Sequence, residues 1–292
     1  MTMMAQPTAQ VPGVYYKKVG EVIVTAVSDG GMQFPWWPFK ELKEEAGTAI
    51  LEANFEVSPP YFNTTCFVVN IQGRLTLIDT GIGPGIGVLL DSLKAAGIST
   101  EQIESVLLTH LHADHANGLI YPDGTKVFPN AEVVVAQTEY DYWMDNRNMK
   151  DPSDEGEQAN FQMAQAALAP YAGYIRTFSS EETEPVTGIK AIAAPGHTPG
   201  HTAYFIESGE EQLLIWGDIL HNATIQLRRL DETLVMDVLP DQAVQSRKRL
   251  LEYAATERLL VTGMHLAFPG FGHIKKEADH YVHIPEIWKP AL

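Results

Sequence analysis

Four times in this 292-residue chain a short apolar run ends on a residue that can bind a metal. ESVLLTH ends on His110, GIKAIAAPGH on His197, EQLLIWGD on Asp218 and RLLVTGMH on His265. Runs of this kind read as buried strands. In layered α/β structures, strand ends along one edge are where ligands are collected. The pattern therefore calls for a fold that gathers four separate strand ends at one place. The intervening segments supply its parts. VYYKKVGEVIVTAVSDG and CFVVNIQGRLTLIDTG alternate as hairpins, AEVVVAQ is a strand, and TAYFIES pairs with EQLLIWGD. VLLDSLKAAG is a helix stopped at Gly97, and YDYWMDN, NFQMAQAALA and DQAVQSRKRLLEYAATE are also helical. Two strand-rich halves predict two packed sheets with helices outside, an αββα sandwich formed as a single domain over residues 1–292. Residues 29–60, around GGMQFPWWPFK, are too rich in proline and aromatics for a regular element and are expected to form a lid or a dimer contact.

His110, His112, Asp114 and His115 fall inside THLHADH, although the chain has only 10 histidines. Chance would give that pattern in roughly one such chain in two thousand. If a turn follows His110, His112 returns to the same side, and Asp114 and His115 open a short helix, ADHANGL, beside them. That geometry suits two metals. His110 and His112 would hold one with His197, Asp114 and His115 the other with His265, and Asp218 could bridge both. Each site then keeps an open position, as a catalytic metal needs. Cys66, the only cysteine, sits in the apolar run TTCFVVN as a small buried hydrophobe, so disulfides and thiolate sites are excluded. Imidazole and carboxylate donors suit zinc, with iron, manganese or cobalt also compatible. A hydroxide bridging two such ions is a nucleophile near neutral pH. His201, His273, His280 and His283 are read as structural, and His221, close behind Asp218, as lining the pocket.

The chain is 45% apolar and 20% charged, the balance of a soluble globular protein with a sizeable core. A net charge of −17 argues against a nucleic-acid partner, which needs clustered Lys and Arg. No run is long and apolar enough to span a membrane. The start, MTMMAQPTAQVPG, lacks the regions of an export signal, so a cytoplasmic location is expected, or a periplasmic or secreted one if a leader has been removed.

In this order, LTLIDTG, THLHADH, PGHTPGH, GD and TGMH resemble the metallo-β-lactamase superfamily over nearly the whole chain. The resemblance implies the αββα fold and a dinuclear hydrolytic site with ligands His110, His112, His197, Asp114, His115, Asp218 and His265. It also gives Asp79 the role of a carboxylate that steadies the histidine loop. True β-lactamases generally lack an aspartate at the position of Asp218, and flavodiiron proteins carry a glutamate at that of His112, so neither activity is expected. Glyoxalase-II-like thioesterases use basic residues for glutathione, and only Lys275, Lys276, Arg228 and Arg229 are available for that role. RNA-processing members are poor matches to an acidic chain with no basic arm.

SDGG, FPNAEVVVAQTEYDYW and HLAFPGFGHI further resemble the methyl parathion hydrolase-like group of lactonases, arylesterases and phosphotriesterases. That resemblance implies an aromatic substrate pocket, matched here by Trp143 and Phe161 and more loosely by Phe268 and Phe271. An aromatic pocket with few cations favours a neutral, apolar substrate. The expected function is a dinuclear zinc hydrolase that opens lactones or aryl esters, with organophosphate triesters as side substrates, acting as a homodimer. Asp114 would move a proton and Asp218 would hold the bridge. The alternatives are phosphotriester hydrolysis as the main task, or a metal-dependent binding protein without turnover, its open position blocked by His221.

Overall fold

The computed structural model describes residues 7–179, 181 and 183–292. The opening MTMMAQ, read above for an export signal, lies outside the described residues. In chain order the elements are β1 (Val14–Val19), β2 (Val22–Gln33), α1 (Glu44–Glu52), β3 (Tyr61–Ile71), β4 (Arg74–Ile78), α2 (Leu89–Ala95), β5 (Ile103–Leu107) and α3 (Ala113–Ala116). They continue as β6 (Glu132–Ala136), α4 (Gln137–Met144), α5 (Glu155–Leu168), β7 (Ile175–Phe178), β8 (Lys190–Ala193), β9 (Thr202–Ser208) and β10 (Glu211–Ile215). The last are α6 (Ala223–Gln226), α7 (Pro240–Thr256), β11 (Leu260–Thr262), β12 (Gly272–Lys276) and β13 (Tyr281–Pro285).

Strands β1 to β7 form one sheet in sequence order, antiparallel as far as β4 and parallel from there to β7. The second sheet runs β13-β12-β11-β10-β9-β8, with β10 and β11 its parallel pair. The sheets meet through Val24, Phe67, Val69, Ile78 and Leu107 on one side and Tyr204, Ile206, Leu213 and Ile215 on the other. On β3 the period of two is explicit. Phe67 and Val69 face the second sheet, whereas Cys66 and Val68 turn outward under α2 and α5. Both faces of that strand are therefore buried, which is why CFVV reads as a continuous apolar run. Leu250, Leu251 and Ala254 of α7 cover the outer face of the second sheet, each buried leucine contributing about 2 kcal/mol. The layers are helix, sheet, sheet, helix.

Local signals end the elements where they should. Gly97, at φ +73°, follows α2, and the amides of Gly97 and Ile98 return to the carbonyls of Lys94 and Leu93. Strands β7, β12 and β13 were not anticipated from the sequence. Residues 29–60 require a correction. They are not irregular throughout, because β2 runs on to Gln33 and α1 occupies Glu44–Glu52. Trp36, Phe39, Leu42 and Leu51 form a small core with Phe62, Ile225 and Leu234. Gly47 of α1 lies flat on the Trp36 ring, where a Cβ would come within 2.3 Å, so the glycine that weakens the helix signal is what lets the helix dock. The amides of Glu41 and Leu42 donate to the buried Glu232, and Thr233 donates back to Glu41. Among the described residues no helix is long and apolar enough to cross a membrane.

Candidate metal centre

Past the end of β5, the chain turns through Thr109–His112 and enters α3 at Ala113. The turn brings His110 Nε2 to 3.0 Å from His112 Nδ1, and His112 Nδ1 lies 2.9 Å from His197 Nε2, which arrives on the loop after β8. Asp114 and His115, on α3, face His265 from the loop after β11; His265 Nε2 is 3.4 Å from Asp114 Oδ2, and His115 Nε2 is 3.6 Å from the same oxygen. Asp218 stands between the groups. Its Oδ2 lies 3.6 Å from His110 Nε2, 3.3 Å from His197 Nε2 and 3.3 Å from His265 Nε2, while Oδ1 is 3.2 Å from His115 Nε2.

The far sides of three of the rings are held. Asp79 accepts from His115 Nδ1 at 2.7 Å, Asp237 from His197 Nδ1 at 2.8 Å, and the Asn63 carbonyl from His265 Nδ1 at 2.7 Å. Each bond fixes a ring's tilt and leaves Nε2 as the free lone pair, the arrangement that orients metal ligands. Asp79 is itself at a positive φ of +56° and also takes the Thr109 amide at 2.7 Å, so the start of the histidine loop is pinned to the end of β4. His201 supports Asp218 from behind, with Nε2 accepting the Asp218 amide at 2.9 Å.

Burial pushes His110 and His112 well below the usual imidazole range, and neighbouring imidazoles push the same way. For His197 burial is outweighed by Asp218 and Asp237, which raise it to about 9. His115 is likewise buried yet held well above its ordinary value by Asp218, Asp114 and Asp79. Asp218 is driven far down, burial notwithstanding, by His115, His265 and His221. Buried lone pairs facing one another this way need a cation. His115 Nε2 and Asp218 Oδ1, although 3.2 Å apart, make no well-aligned hydrogen bond. His110–His112–His197 and Asp114–His115–His265 each have ligand atoms within 4.8 Å of one another, and His110–His115–Asp218 is a third such group between them. Two divalent ions fit these imidazole and carboxylate donors, a set that suits zinc and its divalent neighbours.

A model of the metallo-β-lactamase superfamily matches residues 59–275. The chain belongs to that superfamily. It is similar over 96% of its length to the hydrolase AbOPH of the β-lactamase superfamily, at 32% identity and a TM-score of 0.90 over all of that chain. It is also similar to AidC, a dizinc quorum-quenching lactonase, at 26% identity and a TM-score of 0.88, covering 96% of this chain and 99% of that one. The N-acyl homoserine lactonase AiiA of Bacillus thuringiensis subsp. kurstaki is 25% identical over 177 residues, 59% of this chain and 60% of the lactonase. The match thus spans about 60% of the length of such curated relatives.

Within this superfamily frame the remaining candidates fall in different places. Trp143 stands edge-on to His112, ring centroids 5.4 Å apart, but is only 3% exposed and packed in the core, so it braces the histidine loop and does not form the open pocket wall expected of it. Phe161 packs behind Trp143 and is only 1% exposed, so it props Trp143 and presents no open surface. Phe268 is half-buried beside Gly13, and Phe271 lies in the core between the sheets. His221 comes nearer than a pocket wall: its Nε2 is 3.1 Å from Asp218 Oδ2, it stacks on His265, and its Nδ1 has no partner. Burial lowers it to about 4. His273, His280 and His283 join no metal-capable group, and Lys275 and Lys276 pair with Glu277 and Glu252. Arg228 donates to Asn54, and Arg229 to Glu232. A cleft of about 270 Å³ opens beside His265, lined by Asn54, Asn63, Asn222 and Arg228 among others. Sequence reasoning missed Asp237, Asn63 and Glu139, which touch the ligand loops but belong to no motif spacing.

Proposed function

We propose that this chain is a dinuclear zinc hydrolase that opens lactones, of the methyl parathion hydrolase-like kind. The observation that carries the reading is the convergence of His110, His112, His197, Asp114, His115 and His265 on Asp218, with buried nitrogens and oxygens left unpartnered. Two bound divalent ions at such a centre lower the pKa of water and polarise a carbonyl. The residues do the rest. Asp218 holds the shared position between the two trios. Asp114, whose side chain is 34% exposed while Asp218 and His115 are sealed, is the carboxylate placed to pass a proton to solvent. The polar cleft beside His265 offers amide groups to a lactone substituent. The named activities of AidC and AiiA support a lactone with an N-acyl substituent. The group assignment is supported by its three quoted segments, which supply Asp29 of β2, Trp143 and His265.

The test is kcat/KM of the zinc-loaded protein on an N-acyl homoserine lactone, on dihydrocoumarin and on a dimethyl aryl phosphotriester. The expected order places a lactone ahead of the triester by about a hundredfold, or ~2.7 kcal/mol of transition-state stabilisation. A triester ahead of both lactones overturns the substrate assignment. A loaded protein inert to all of them overturns the hydrolase, and points to His221 closing the open position.

A further inference from the structure

Glu139 lies at the start of α4, fully buried, and none of the chemistry above uses it. Its carboxylate is saturated with donors. Oε1 accepts from the Leu111 amide at 2.9 Å and from Trp143 Nε1 at 2.7 Å; Oε2 accepts from Thr198 Oγ1 at 2.6 Å and from the Gly200 amide at 2.9 Å. Burial lifts its pKa, and these same donors oppose the lift. Leu111 is the residue between His110 and His112, and Thr198 is the residue after His197. One carboxylate thus ties together the two loops that carry a complete trio, and it fixes the indole that stands against His112. Gly200 shows how close the loops are, since a Cβ there would come within 2.2 Å of the Glu139 amide nitrogen. No contact of Glu139 reaches the Asp114–His115–His265 trio, where Asp79 and the Asn63 carbonyl hold the rings.

We infer that Glu139 is the positioning residue of the first metal site, setting the spacing of His110, His112 and His197 and with it the affinity of that site alone. The inference rests on the dinuclear reading above. Asp79, by contrast, holds His115 directly and reaches His110 through Thr109, so it serves both sites and only Glu139 is selective for one. Outer hydrogen-bond partners of metal ligands typically govern 10- to 100-fold in affinity.

The experiment is competition of zinc against a chromophoric chelator, in wild type, Glu139→Gln and Asp79→Asn, beside thermal melts of the metal-free proteins. In Glu139→Gln an amide NH₂ replaces one oxygen and faces two donors. The expected result for Glu139→Gln is one zinc weakened about 10- to 100-fold and the other unchanged, whereas Asp79→Asn weakens both. Two wild-type affinities in Glu139→Gln, or two equally reduced ones in a folded protein, overturn the inference and leave the dinuclear reading standing. A wild-type protein that takes up fewer than two zinc ions overturns the dinuclear reading itself. If Glu139→Gln does not fold, Thr198→Val removes one donor only. It then decides: a selective loss at one site supports the role, and unchanged affinities refute it.

Discussion

Asp218 is 4% exposed and has five imidazoles within 3.6 Å, whereas Trp37, on the segment that packs over the same end of the molecule, is 59% exposed and leans on little. Phe62 joins the two regions, with its ring 6.2 Å from both His221 and His265 on one side and packed on Phe34 and Phe39 on the other. In the centre, position is set by hydrogen bonds to the second nitrogens of His115, His197 and His265, which give those rings one tilt. In the cover, position is set by apolar burial of Trp36, Phe39, Leu42 and Leu234, which fixes the segment without fixing its outer face. Phe55, fully exposed at a φ of +61°, and Val57, 59% exposed, belong to that free face. The contrast separates a hydrogen-bonded centre from a cover whose outer face is held only by the packing beneath it.

The hardest blow to the centre is Asp218→Ala. It removes the carboxylate both trios share, so we expect metal content to fall below one ion per chain. With it, kcat/KM should drop about four orders of magnitude, ~5.5 kcal/mol. Two ions retained on elemental analysis, with turnover near wild type, would show that the trios stand without a bridge.

A smaller effect sharpens the boundary between centre and surroundings. Asp29, at the bulge within the long β2 strand, accepts the amides of Ile82 and Leu89 at 2.8 Å each and so staples both ends of the glycine-rich loop. Burial raises its pKa from 3.8 to about 6 although those amides pull it down, with Asp114 adding repulsion. Because the folded value is above the unfolded one, the stability linked to its proton is full below pH 3.8 and is lost as pH rises through about 6. Urea titrations of the metal-free protein should lose on the order of 2–3 kcal/mol across that window. Asp29→Asn should flatten the dependence. An unchanged slope in the variant would assign the titration elsewhere.

The smallest effect belongs to the cover. Trp37→Ser should change stability by no more than about 0.5 kcal/mol, as exposed substitutions do. If this face joins two copies, the same change should shift the light-scattering mass from dimer to monomer. A mass unaltered by Trp37→Ser and Phe55→Ser together would free the face for a lid role.

The sequence by itself determined the layered fold and the positions of the metal-capable residues, because both are written locally. A strand is legible from its own alternation, and a histidine at its end from its own identity; THLHADH compresses half a centre into one turn. Residues 29–60 escaped that logic. Prolines and aromatics argued against a regular element there, and only the packing shows α1 docked through Gly47 on the Trp36 ring and the buried face of FPWWPF. The supports of the centre escaped it too. Asp237 is 40 residues from His197, Asn63 is 202 from His265, and Glu139 is 28 from Leu111 and 61 from Gly200. Only the packing of the two sheets and α4 brought those groups within hydrogen-bond reach. A ligand's chemistry is carried by its side chain and survives in one dimension. Its orientation depends on partners distant in sequence, whose meeting is a property of the fold.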